Sequence, residues 1–247
     1  MTALGSLLGV LVGLSLGMLG GGGSVLTVPI FVYVLGFEAK VAIAGSLAVV
    51  GAVSLVGAGR HARAGNVEAR TALVFAPLAM GGAFAGARTA TLLADWIQLV
   101  LFATVMLAAA GLMLRPRGPS RLARERPPAA PWLVGMAAVG VGVLTGLVGV
   151  GGGFLIVPAL VLLLQVPIKR AVGTSLLIIA FNAAAGFAGY LGQVTLPVPL
   201  LVGFGAAAVA GVLVGAQLAA HVPSRMLRRG FAVFLIVVAV WMLAQNL

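Results

Sequence analysis

Apolar residues fill this chain in long runs, and the polar residues fall between the runs instead of alternating within them. The first half carries runs at 3–36, 41–59, 69–91 and 95–114, the second at 132–166, 170–190, 197–220 and 224–245. A run of about 20 residues matches a helix crossing a hydrocarbon core of about 30 Å. The first run of each half is too long for one crossing, because 34 residues of helix would reach about 50 Å. Each is interrupted by glycines, GMLGGGG at 17–23 and GLVGVGGG at 146–153, with Pro29 or Pro158 further on. Glycine runs are poor helix interior and proline removes a helix hydrogen bond. Gly20, Pro29, Gly149 and Pro158 therefore mark helix breaks or hinges. Each half is expected to open with a broken or re-entrant pair of helices, about 17 and 14 residues long, followed by three transmembrane helices. The expected fold is an all-α polytopic membrane protein with two inverted-topology repeats and eight to ten membrane helices in all.

The two breaks belong to a longer duplication. Residues 13–61 and 142–190 share 15 identities in 49 positions at an offset of 129, among them Lys40 with Lys169, Ser46 with Ser175 and Leu47 with Leu176. After a slip of two residues that pairs Gly65 with Gly192, the offset returns where Gly82 and Gly86 meet Gly211 and Gly215. Two copies of so long a period make neither a solenoid nor a propeller. The expected organisation is a first repeat at 1–114, a basic, proline-rich linker at 115–131 and a second repeat at 132–247.

Basic residues assign the sides of the membrane. The linker holds Arg115, Arg117, Arg121, Arg124 and Arg126 and is the strongest candidate for the cytoplasmic face. If each opening pair returns to its starting side, 13 of the 15 lysines and arginines become cytoplasmic, with Lys40 and Arg88 the exceptions. A single crossing per long run would lower the bias to 8 against 7. The returning pair is the better reading. It gives each half an odd number of crossings, inverts the halves relative to each other and places both termini outside.

Composition agrees with a lipid solvent: 62% of residues are hydrophobic and 8% charged. The first apolar run has no cleavage-site pattern, so a retained helix is expected and not a signal peptide. A net charge of +11 raises nucleic acid as a partner, but the basic residues sit in short loops, where they orient the chain and meet anionic lipid. No nucleic-acid partner is expected. The chain has no cysteine, which removes disulfide and thiolate chemistry. Glu38, Glu68, Asp95 and Glu125 lie at or near run ends, as do His61 and His221. No proton relay, metal site, cofactor site or intramembrane protease constellation follows from them. Nothing in the pattern specifies an oligomeric state.

Inverted repeats with helices broken at equivalent positions point to a secondary transporter with its site near the bilayer midplane. A helix that opens at a glycine run presents free N–H groups and about half a positive charge, and lacks Cβ atoms to obstruct a compact anion. The candidate substrate contacts are accordingly Gly22, Gly23 and Ser24 in one half and Gly151, Gly152 and Gly153 in the other. Ser46, Thr174, Ser175 and Asn182 follow in the next helix, where they can donate hydrogen bonds to an oxyanion or tie helices together. Lys40 and Lys169 stand at the start of that helix as snorkelling anchors or as guides for anions. Gly82, Gly86, Gly211 and Gly215 read as close-packing sites between helices.

The doubled GxxGxGGGxxxVP pattern, with Lys169, Thr174, Ser175 and Leu176 downstream in the fuller copy, resembles the sulfite exporter TauE/SafE family of the toluene sulfonate uptake permease superfamily. The likeness spans essentially the whole chain. It implies transport of sulfite, sulfoacetate, thiosulfate or a related anion across a bacterial or archaeal inner membrane. The first copy departs from the pattern, with Gly21 and Ser24 opposite Val150 and Gly153, and Gly45 opposite Thr174. A transporter of another small anion such as a short carboxylate, or an anion channel, would use the same amide site.

Overall fold

The computed structural model describes residues 2–90, 92–114, 130–148 and 153–246, and among them every regular element is helical. The helices are α1 (Thr2–Leu19), α2 (Gly22–Pro29, running into a π-helical turn at Ile30–Val34), α3 (Ala39–Arg63), α4 (Ala69–Ala90), α5 (Asp95–Leu114), α6 (Pro131–Val148), α7 (Gly153–Leu162), α8 (Ile168–Tyr190), α9 (Val198–His221) and α10 (Ser224–Asn246). The first opening run is divided at Gly20 and Gly21, and in the second α6 ends at Val148 and α7 begins at Gly153. Five helices, α3, α4, α6, α8 and α9, are long and apolar enough to cross a membrane by length and composition. The basic linker lies outside the described residues, apart from Ala130 and Pro131.

The burial pattern is that of a bundle in lipid. α3 and α8 are the central helices, with two thirds of their apolar window buried, whereas α4, α6 and α9 bury 33–39% of theirs. Leu73, Trp132, Val202 and Val237 stand more than half exposed on the outer surface, where hydrocarbon and not water is the favourable neighbour. Inside, Phe31 stacks edge-on against Phe37 and Phe204, joining the π-helical turn to α9.

The packing follows the duplication contact by contact. α1 lies along α9, and α6 lies along α4. A Cβ on Gly13 would collide with Ala208, and one on its repeat equivalent Gly142 with Ala79. Gly17 against Val212 corresponds to Gly146 against Ala83, Gly211 against Val10 to Gly82 against Val139, and Gly215 against Leu14 to Gly86 against Val143. All eight glycines face backbone atoms of the neighbouring helix, so these are close-approach sites between helices of opposite halves. In the middle of the bundle Gly57 faces Val212 and Leu176, while Gly186, 129 residues later, faces Ala83 and Leu47. α3 pairs with α8, and α5 with α10.

Candidate functional site

The site is built where the chain leaves α1. Gly20 adopts φ +70°, a left-handed conformation that side chains other than glycine's resist, while its N–H bonds Leu16 O at 2.8 Å. The chain turns at Gly21 and α2 starts at Gly22, with no side-chain cap on the N–H groups at its opening, which the helix itself does not pair. α7 starts at Gly153, and the two starts meet: a Cβ on Gly153 would lie 2.5 Å from Gly21 Cα, and one on Gly21 would overlap Gly153. Both contacts admit only glycine. Gly149, Gly151 and Gly152 lie outside the described residues. Pro29 and Pro158 lie within α2 and α7.

Side chains around this meeting point are neutral. Ser24 is buried and its hydroxyl donates to Gly21 O at 2.6 Å, while Thr27 one turn later donates to Gly23 O at 3.3 Å. Gly23 packs against α1, since a Cβ there would overlap Val12 and lie 2.6 Å from Leu16 N. From α8, Ser175 shares its hydroxyl proton between Gly20 O at 2.7 Å and Val172 O at 2.8 Å, fastening the left-handed glycine to the central helix. Ile179 lies against Gly153, and Asn182 continues the same face at spacing i, i+4, i+7. Asn182 Nδ2 donates to Thr145 Oγ1 at 2.8 Å, and Thr145 in turn donates to Val141 O at 2.8 Å. Asn182 Oδ1 and the Ser46 hydroxyl are fully buried and have no partner among the described residues. Buried polar groups are rarely left so, because each costs about 1–3 kcal/mol.

Thr174 has a different place. Its hydroxyl accepts the Glu68 N–H at 2.9 Å in the second turn of α8, where Gly173 also abuts Asn66, and Glu68 reaches Arg170 in the first turn at 3.5 Å. These contacts staple the α3–α4 loop to α8. Among the described residues the buried polar side chains are serines, threonines, Gln98, Asn182 and His61, with no lysine, arginine or carboxylate. A ligand between the helix starts would therefore meet amide dipoles and hydroxyls in place of a countercharge.

A cavity of about 350 Å³ opens beside this point, between α1, the last turns of α3 and α9 and the start of α8. Its wall carries Arg60, His61, Asn66, Lys169, Gln217 and His221, with no carboxylate among the lining residues. Met18 and Val172 form the floor, and Val172 Cα lies against Gly20. The cavity thus leads toward the first break, with Lys169 on its rim. Lys40 occupies the equivalent start of α3, half-buried. His61 is part of the same structure: its Nε2 donates to Gly17 O at 3.3 Å, and its repeat equivalent Tyr190 donates to Gly146 O at 3.2 Å. A histidine in one copy and a tyrosine in the other share no residue identity that would mark them in the sequence.

Comparison with known proteins fits this architecture. The sulfite exporter TauE/SafE family model matches residues 6–242. A "Probable membrane transporter protein" of Xylella fastidiosa (strain Temecula1) is 33% identical over 245 residues, covering 96% of this chain and 93% of the relative. A protein of the same description from Bacillus subtilis is 28% identical over 228 residues, covering 91% and 92%, and one from Methanocaldococcus jannaschii is 24% identical over 212 residues, covering 79% and 78%. No solved structure matches the chain. A whole-length family match on an all-helical chain with apolar spans admits one conclusion: the protein belongs to the TauE/SafE sulfite exporter family and is a multi-pass membrane transporter, not an enzyme.

Proposed function

We propose that the chain is an inverted-repeat secondary transporter that carries a small sulfur oxyanion or organosulfonate, of the sulfite, sulfoacetate or thiosulfate class, across a bacterial or archaeal inner membrane. The repeats are 1–114 and 132–247, the linker between them is cytoplasmic, and both termini are outside. The contact between the start of α2 and the start of α7, at Gly21 and Gly153, carries this reading. Helix N-termini converging without a buried cation favour a compact anion, because each supplies about half a positive charge together with unpaired N–H donors. The packing supports the repeat reading, since contacts between α1 and α9 recur between α6 and α4 at the same 129-residue offset.

The anion sits at the amides of Gly22, Gly23 and Ser24 and of Gly151, Gly152 and Gly153, with Asn182 and Ser46 as neutral donors around it and Ser175 holding Gly20 in place. Gly23 also fixes α2 against α1, and the Thr174 hydroxyl also holds the α3–α4 loop. Lys169 and Lys40 draw anions toward the two mouths. Binding measured on purified protein against sulfite, thiosulfate, sulfate, sulfoacetate and acetate tests the substrate class. The sulfur anions are expected to bind and acetate is not; acetate binding more tightly than every sulfur anion would contradict the reading.

A further inference from the structure

We infer that the protein forms a second anion vestibule, closed in this structure, between α4 and α8 on the external face, walled by Lys40, Ile43, Arg88 and Tyr190. The inference rests on the inverted-repeat reading and goes beyond it by naming the walls and the gate. It follows from an asymmetry between equivalent positions. The open cavity is lined by Arg60, His61, Lys169, Val172, Ala216 and Gln217. Their repeat equivalents are Gly189, Tyr190, Lys40, Ile43, Ala87 and Arg88. The cationic character is kept, with Lys40 for Lys169 and Arg88 in place of Arg60. The space is not: a Cβ on Gly189 would lie 2.6 Å from Ala87 Cβ and 3.2 Å from Phe84 O. Ile43, Ala87 and Tyr190 are all within 1% of complete burial, whereas Ala216 is half-buried on the open side.

The seam is therefore held shut by glycine-mediated contact between α4 and α8, and parting those two helices gives the anion its external route to the meeting starts of α2 and α7. On the cytoplasmic side the arginine at position 60 prevents so close a backbone approach, so the two gates differ. The external one is a helix seam and the cytoplasmic one is a charged side chain over a cavity. A transporter needs both mouths, and one sequence related by repeat supplies the second from residues already placed for the first.

The chain's lack of cysteine allows a direct test by single-cysteine labelling with a membrane-impermeant maleimide from each side of oriented vesicles. Ala216→Cys should label from the cytoplasmic side, and Ile43→Cys only slowly from the external side. Adding Gly189→Leu wedges the seam and should raise external labelling of Ile43→Cys about tenfold while slowing that of Ala216→Cys. Gly189→Ala, a smaller wedge read on monodisperse protein, should move both rates the same way. External labelling of Ile43→Cys that neither wedge accelerates would overturn the vestibule. Gln193→Cys in the same vesicles separates the two failures: external labelling there with an inert Ile43→Cys removes this inference alone, and cytoplasmic labelling removes the inverted topology beneath it.

Discussion

At the scale of single residues, glycine does two jobs in this protein, and position on the helix separates them. Gly142 faces the backbone of α4 at Ala79, while Gly140 on the same helix has nothing within 4 Å of a Cβ. Gly142→Leu should therefore cost about 1–3 kcal/mol or more through overpacking, and Gly140→Leu should be close to silent. Thermal unfolding of the two variants in detergent checks this; equal loss in both would remove the close-packing account. Asn182 offers a second contrast. Its amide donates to Thr145, yet Thr145 keeps its bond to Val141 when Asn182 is replaced. Asn182→Leu should change stability by less than about 1 kcal/mol, in line with interhelical hydrogen bonds in membranes. With the second Nδ2 hydrogen of Asn182 donated to the substrate, thiosulfate binding should weaken about tenfold in the same variant, equivalent to about 1.4 kcal/mol. Unchanged affinity would assign Asn182 to helix tying alone.

At the scale of elements, the helix boundaries and breaks were legible in the pattern of apolar runs. The run at 3–36 divides into α1 and α2 at Gly20 and Gly21, and the runs at 69–91 and 95–114 become α4 and α5 within a residue. The reason is physical: only an apolar helix satisfies its backbone in hydrocarbon, so run length and glycine placement fix where helices begin and end. The partner of each polar group was not legible. Thr174 and Ser175 are adjacent in sequence, but one holds the α3–α4 loop and the other fastens Gly20, because consecutive helical positions point about 100° apart. The roles of His61 and Tyr190 depend on α1 and α6 approaching from elsewhere in the chain, which no local pattern encodes. The elements that begin at Lys40 and Lys169 carry a prediction of their own. Replacing Lys169 with Gln should slow anion uptake more at low ionic strength than at high, because exposed attraction is screened over about 10 Å at 0.1 M salt. Equal loss at every salt concentration would count against guidance by this charge.

At the scale of the whole molecule, the duplication explains both the repeated packing and the meeting of the two helix starts. α3 and α8 pair at the centre, α1 and α6 each pack against a helix of the other half, and the starts of α2 and α7 meet where, among the described residues, no side-chain cation is buried. On the proposed inverted topology 13 of the 15 basic residues fall on the cytoplasmic side. Cysteines introduced singly at Arg63 and Arg228 should label from the cytoplasm, and one at Gln193 from outside; cytoplasmic labelling at Gln193 would contradict inversion. The central claim concerns the amides at the breaks, and Gly152→Val addresses it most directly. A β-branched side chain there narrows the approach of an anion and restricts the backbone that glycine permits. Thiosulfate and sulfite binding measured on monodisperse Gly152→Val protein should be lost while the helical fold persists; a folded variant that binds both anions as tightly as the parent would contradict the account.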